Sequence, residues 1–356
     1  MTDAATLEAI RRVEETPLNQ LVNVSIDDVQ AQMDALLSPE NDSASFYRRW
    51  ETQQWAVSDL DFAQDVRDWA NIPPAVQTSL RTTMTLFFVG EQIVTDTLAP
   101  VLHAAPREDE RIFLATQIAD EARHAVFFDR FFAEVLGHEG GIHAAMVNFG
   151  PASREGYRRI FYTDLPAAID RCRLDPKDPV AFVEAVVTYH LVIEGFLALG
   201  GQRTTLRLLR RIGILPGFVS GFTAVARDES RHIGFGVLAL RRRVLEDPEM
   251  GRVIARKVHD LLETAVRVTV GPDERLPFTS VEEVPPPMRI DPLEARAFAI
   301  ESLAKRLRAA GLTDQAVDEV QTRMMSLYEQ LWAEYERNHG VEHPARFWQR
   351  ATAAAS

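Results

Sequence analysis

A single cysteine, Cys172, stands in 356 residues. One thiol excludes an intrachain disulfide and any cysteine-rich zinc or iron–sulfur site. Positive charge is also short: 39 Lys and Arg against 52 Asp and Glu leave a formal charge of −13. A phosphate backbone rewards net basicity, so the deficit argues against a nucleic-acid partner. The one basic cluster, Arg203, Arg207, Arg210 and Arg211, reads as the solvated face of one helix. No apolar run approaches the length of a membrane span, so no membrane insertion is expected. The opening residues Met1-Thr2-Asp3-Ala4 are acidic and polar, unlike a secretory signal. These points fit a cytoplasmic protein. Strand signals are missing as well: there is no hairpin between alternating runs, no dinucleotide-binding glycine pattern and no P-loop.

What is present is helical text. Hydrophobic residues make up 46% of the chain, enough for a large core. Residues 1–45 read as accessory helices, 46–270 as the main bundle, and 271–356 as a loop, terminal helices and a tail from Pro344. Within the bundle the pattern predicts long helices over Val76 to about Leu98, from Arg107–Asp109 to near Gly137, over Phe182–Leu199, and from Gly217 to about Arg243. Pro100–Pro106 reads as a turn. Gly195, Gly200 and Gly201 are expected to loosen or stop the third helix. Ser58 or Asp59 is a candidate cap for a helix ending at Trp69.

The second long helix carries Asp120-Glu121-Ala122-Arg123-His124, and the fourth repeats the frame as Asp228-Glu229-Ser230-Arg231-His232. Residues three apart share a helix face, so each segment aims one carboxylate and one imidazole at the same point. The first and third helices each add a lone acid in apolar surroundings, Glu91 and Glu194. Glu184 competes with Glu194, but it lies near a helix start, where an acid is favoured on dipole grounds. Glu91, Glu121, His124, Glu194, Glu229 and His232 are therefore the candidate metal ligands. Two E-x-x-H helices and two lone acids form the usual shell for two metals inside a helix bundle. Four carboxylates and two imidazoles suit iron or manganese, and apolar walls favour redox over hydrolytic chemistry. His190 is surplus to this set. Asp120 and Asp228 are placed either to accept a proton from a ligand histidine or to pair with Arg123 and Arg231.

These residues resemble the ferritin-like di-metal carboxylate proteins, and specifically the small subunit of class I ribonucleotide reductase. The resemblance covers roughly residues 46–270 and implies an all-α, ferritin-like helical bundle with a buried dinuclear metal site. Asp228 matches the family's aspartate before the last motif, and Trp55 its early tryptophan. One position departs: the reductase's radical tyrosine, four residues past the first motif histidine, is Phe128 here. Val94, three residues after Glu91, and Tyr189, five before Glu194, instead match the ligand-binding oxidases related to that subunit. That resemblance implies a manganese/iron cofactor, one ion of each per chain, with di-iron as a variant. Glu91, Glu121 and His124 would hold the manganese site, Glu194, Glu229 and His232 the iron site, and Glu121 would bridge. It also implies activation of dioxygen, a long-chain fatty acid or similar hydrophobic ligand, a Tyr189–Val94 ether crosslink and a homodimer. Phe88, Phe128, Phe196 and Phe222 are expected to line the ligand channel. The alternatives are a reductase subunit without the radical tyrosine, a di-iron N-oxygenase using His190, and a ferritin-like metal store. Glu91 and Glu121 are thirty positions apart, short for the family, so the first hairpin is expected to differ.

Overall fold

Apolar residues recurring every three or four positions put nearly all of the chain into helices that bury one face. The computed structural model describes residues 4–138, 140, 144, 155–270, 281 and 284–355, apart from the side chains of residues 75, 96 and 355. No strand occurs among the described residues. The helices are α1 (Ala4–Glu15), α2 (Ile26–Leu36), α3 (Ser43–Thr52), α4 (Ala63–Asn71), α5 (Pro74–Ala104) and α6 (Glu108–Glu134). Glu155–Arg159, Ile160–Asp164 and Leu165–Leu174 run on as α7. Then come α8 (Pro179–Ile212), α9 (Pro216–Glu246), α10 (Glu249–Val270), α11 (Pro292–Ala309), α12 (Asp314–His339) and α13 (Pro344–Ala355).

The bundle that positions the site is α5, α6, α8 and α9. Proline at the first turn starts α5, α8 and α9, where a missing N–H costs nothing. Gly213 ends α8 at φ 75°, a left-handed conformation that a residue without Cβ adopts freely. The N-terminus of α9 is buried, and Asp65 of α4 satisfies it: the N–H groups of Gly217 and Phe218 donate to its carboxylate at 2.8 and 2.7 Å. Asp65→Ala leaves both donors without a partner in a buried place. It is expected to lower stability by about 2 kcal/mol, read from urea unfolding.

Several expectations are corrected. α5 does not stop before Pro100; the proline sits inside its last turns and the helix runs on to Ala104. The thirty-residue spacing is sufficient, because Ala105–Arg107 alone turns α5 into α6. Asp61, not Ser58 or Asp59, accepts the N–H of Ala63 at the start of α4, while Val57–Asp59 is a separate 3-10 turn. Gly195, Gly200 and Gly201 do not end α8. Its middle, Val187–Ala198, is instead wound as a π-helix. α8 is long and apolar enough to cross a membrane by length and composition, contrary to the sequence reading, but 83% of its apolar window is buried inside the protein. The expected tail from Pro344 is helix α13.

The basic cluster on α8 is solvated only in part: Arg207 and Arg211 are exposed, Arg203 and Arg210 half-buried, and all four have partners. Arg210 donates to the carbonyls of Leu21 and Val22 and to Thr223, and Arg211 to the carbonyls of Pro287 and Arg289. Arg203 and Arg207 pair with Glu294 of α11. These guanidiniums tie the N-terminal turn and the segment leading into α11 onto the bundle.

Candidate metal centre

The four central helices bring all six candidate ligands together. Glu91 comes from α5, Glu121 and His124 from α6, Glu194 from α8, and Glu229 and His232 from α9. Ligand atoms of Glu91, Glu121, His124 and Glu229 lie within 4.8 Å of one another, as do those of Glu121, Glu194, Glu229 and His232. The two motif glutamates belong to both groups. Glu121 lies 3.6 Å from His124 Nδ1 through Oε2 and 3.2 Å from His232 Nδ1 through Oε1. Glu229 does the same with Oε1 and Oε2, at 3.4 and 3.3 Å. Each of these carboxylates therefore has one oxygen facing each half of the centre, so two carboxylates span it rather than Glu121 alone. Glu184, the rejected acid, is spent in an ion pair with Arg171.

The donor set fits two metal ions. All six residues are buried, and Glu194 Oε2, Glu229 Oε2 and His232 Nδ1 have no hydrogen-bond partner. Unpartnered buried carboxylate oxygens are costly unless a cation meets them. Charge agrees. Counting Asp120 and Asp228, six carboxylates crowd together, and among the described residues two guanidiniums, those of Arg123 and Arg231, pair with them directly. Two divalent cations supply the four missing positive charges.

Without metal the groups share protons. Burial holds the Glu91 and Glu194 carboxyls well above the usual range, reinforced at Glu194 by the neighbouring Glu229 charge. Burial alone would also raise Glu121, but the adjacent His124 and His232 imidazoles hold it well below. The two imidazoles are held well above their usual value: burial opposes their charge, but Asp228 at His124 and Asp120 at His232 outweigh it together with the surrounding glutamates.

The aspartates act crosswise. His232, from the second motif, meets Asp120 of the first at 3.2 Å through Nε2. His124, from the first, meets Asp228 of the second at 3.3 Å. Nδ1 of each ring is thereby left facing the carboxylates. The ion-pair reading holds at the same time, since Arg231 bridges both aspartates at 3.0 and 2.7 Å and Arg123 pairs with Asp120 at 2.5 Å. Each aspartate also accepts an indole N–H, Asp228 from Trp55 at 2.8 Å and Asp120 from Trp50 at 3.0 Å. Asp120→Ala is expected to weaken metal binding about 10- to 100-fold at the His232 half alone, measured by competition against a chelator.

Sequence reasoning missed Gln117 and the use of His190. Gln117 donates to Glu194 at 2.9 Å, and its carbonyl oxygen lies 3.1 Å from His190 Nε2. His190 orients an amide rather than a metal. Burial depresses its pKa to about 3, so the ring is neutral. Gln117, one turn before Glu121, carried a weak signal as a polar residue on the ligand face. Tyr189 donates its phenol hydrogen to Glu121 at 2.7 Å. In an α-helix Tyr189 and Glu194, five apart, would diverge by about 140°. π-helical i→i+5 bonding brings them to one side.

The centre opens onto a cavity of about 400 Å³. Glu91, Glu121, Glu194 and Glu229 close one end, and Val94, Tyr189, Phe87, Phe161, Ile193 and Phe196 line the adjoining wall. Of the four expected phenylalanines only Phe196 lines it. Phe88, Phe128 and Phe222 are buried in an aromatic layer, with Phe128 5.7 Å from Phe222 and 6.1 Å from Phe88. Adjacent positions on α5 point to different sides, which is why Phe87 reaches the cavity and Phe88 does not.

Comparison with known proteins agrees with this geometry. Residues 38–270 match the family model for the ribonucleotide reductase small chain. Among solved structures, a variant R2-like ligand-binding oxidase with anaerobically reconstituted Mn/Fe cofactor aligns with TM-score 0.66 and 27% identity, over 77% of this chain and 95% of that one. A second variant, altered at a glycine, aligns with TM-score 0.65 and 26% identity over 77% and 94%. A third, reconstituted aerobically, aligns with TM-score 0.66 and 25% identity over 77% and 95%. Those proteins carry a Mn/Fe cofactor, and the cluster here has the donors for a dinuclear metal site.

Proposed function

The chain belongs to the ribonucleotide reductase small-chain family, and from that premise we propose that it is a dioxygen-dependent ligand-binding oxidase acting on a hydrophobic, fatty-acid-like compound. In this reading Glu91, Glu121 and His124 hold manganese, Glu194, Glu229 and His232 hold iron, and Glu121 and Glu229 are shared. The observation that carries it is a ligand cluster ending an apolar cavity with Val94 and Tyr189 in its wall. Metal ions held by these residues would supply electrons for dioxygen and the oxidising power to take hydrogen from a C–H bond. The protein's own part is to exclude water and to align the bond. Phe87, Phe161 and Phe196 keep the approach dry, and the apolar walls suit an acyl chain better than the phosphate of a hydrolytic substrate.

The same reading includes an ether between Tyr189 Oη and Val94 Cβ. Val94 lies one turn from Glu91 and so shares its face. Tyr189 already holds its hydrogen on Glu121, so the departing proton has an acceptor. One O–H and one C–H bond break and one C–O bond forms. Those two bonds would give two electrons and two protons to dioxygen; the other two electrons that its reduction to two waters requires would come from the reduced metals, and the other two protons from solvent. Intact mass before and after air is admitted to reduced, metal-loaded protein tests this. The mass should fall by two hydrogens, and a digest should carry the two peptides as one. Tyr189→Phe should abolish the link and keep both metals. Separate peptides in oxidised, fully loaded wild type would remove the crosslink from the reading.

Ribonucleotide reduction is not expected. Phe128 stands where a radical tyrosine would be stored, and its ring is sealed in the aromatic layer. Turnover of a ribonucleoside diphosphate with a cognate large subunit would restore the reductase reading. A homodimer also belongs to the proposal, and α6 offers a surface for it. Ile112 and Val126 are exposed, and Ala115, Ala119 and Ala122 continue their line at intervals of three and four. Val126→Glu should shift the mass in solution from dimer to monomer, read by light scattering.

A further inference from the structure

The wall of the cavity away from the metal centre is built by α11, α12 and His343, which lie beyond residue 270, where the family match ends. Pro292, Ala295, Arg296 and Ala299 all line it. Their spacing of three, four and seven residues is one face of α11. The cavity also extends along α5 from Glu91 back to Ser79, about 18 Å of helix at 1.5 Å per residue. Ser79 and Ile290, both exposed, mark its outer rim.

The charges along this cavity are segregated. Four carboxylates stand at the metal end. Away from them, the charged residues among the described lining are Arg203 and Arg296, with no acid beside them in the wall. His343 also lines the outer part, but burial lowers its pKa to about 4 and leaves it neutral. Both guanidiniums are built into place. Arg203 lies 4.4 Å from the centroid of Phe298 and Arg296 4.6 Å from that of Trp332. Acids outside the lining pair with both: Glu294 takes an N–H of Arg203 at 3.0 Å, with Asp27 3.8 Å from the same guanidinium, and Glu329 takes one of Arg296 at 2.8 Å. A guanidinium has five donors, so others remain for a ligand. A guanidinium held over an aromatic ring still offers N–H donors to a carboxylate or phosphate.

We propose that the outer end of this cavity is an anion subsite formed by Arg203 and Arg296, and that the chain takes an acyl compound charged at both ends rather than a simple fatty acid. This rests on the oxidase reading: the acid group of the fatty-acid-like compound would face the metal end, where cations attract it, and the second charged group, a carboxylate or a phosphate-like one, sits at the arginines. A monoacid would leave two guanidiniums facing an apolar tail. The apolar stretch between selects for a long methylene chain.

Titration calorimetry on Mn/Fe-loaded protein with hexadecanoic acid, hexadecanedioic acid and 16-phosphonohexadecanoic acid tests the proposal. At least one doubly charged compound should bind about tenfold more tightly than the monoacid, and the better of the two identifies the head group. Arg203→Gln with Arg296→Gln should erase that advantage while leaving monoacid affinity and metal content unchanged. Equal affinity for all three in wild type, or an advantage that survives the double substitution, overturns the subsite and leaves the oxidase reading in place. Binding of none of them overturns both. The wild-type comparison decides even where the double variant fails to fold.

Discussion

Glu229→Ala protein loaded with manganese and iron should retain less than one ion per chain, against about two in wild type and about one in Glu194→Ala. The difference comes from where the two acids stand. Glu194 belongs to one group of ligand atoms, so its loss disturbs the half that contains His232 and leaves Glu91, Glu121, Glu229 and His124 intact. Glu229 belongs to both, with one oxygen 3.4 Å from His124 and the other 3.3 Å from His232. Removing it takes a donor from each ion. It also removes one of the negative charges that would offset two cations in a buried place. Glu121→Ala should behave like Glu229→Ala for the same reason. Elemental analysis after anaerobic loading, exposure to air and desalting gives the count. Two ions retained in Glu194→Ala would exclude that residue as a ligand. Glu184 would not easily replace it, because Arg171 already holds it.

Removing the metals should lower the melting temperature by about 10 °C or more, given two tightly held ions and the entropy of unfolding of a chain this size. The gap should widen as pH rises. In the metal-free protein Glu91 and Glu194 have folded pKa values above their unfolded ones. Between the unfolded value of about 4.5 and the raised value, the folded state binds more protons than the unfolded one, so stability falls as pH rises. His124 and His232 are raised as well, and their contribution is complete below about 6.5 and lost above it. Glu121 and Asp228 are depressed and work the other way, but their contribution is lost only as pH falls below the ordinary carboxylate range. From pH 5 to 8 the raised groups therefore dominate, and the apoprotein should melt progressively lower. In the loaded protein metal ions replace those protons, and its melting temperature should stay nearly level. Calorimetry of both forms across that range makes the comparison. An apoprotein that gains stability toward pH 8 would mean that the carboxylates are not buried together as described.

The sequence alone determined the helical class and the candidate ligand set that the fold brings together. Both are local properties: a period of 3.6 residues marks a helix, and Glu121 with His124, or Glu229 with His232, shares a face on any helix. Glu91 and Glu194 stood out because an unpaired acid inside an apolar run needs a reason. The comparison with solved oxidases bears out the general kind of protein that these motifs resemble.

Tertiary packing decided the rest. Which aspartate serves which histidine depends on how α6 meets α9, and the pairing proved crosswise. The alignment of Tyr189 with Glu194 needed a π-helical α8, which α-helical spacing does not anticipate. Within that stretch Gly195 lets the chain pack closely: a Cβ there would lie 2.9 Å from the His190 carbonyl oxygen and 3.0 Å from Arg306 Cδ. The arginines on α8 looked solvated because their partners, the carbonyls of Leu21 and Arg289 and the carboxylate of Glu294, lie far away in sequence. Phe87 rather than Phe88 faces the cavity because a difference of 100° in helix phase separates lining from core. No pattern along the chain reveals that α11 forms the far wall. Only the folded bundle sets Arg203 and Arg296 beside one cavity, since contact between distant segments is made by packing and leaves no local trace.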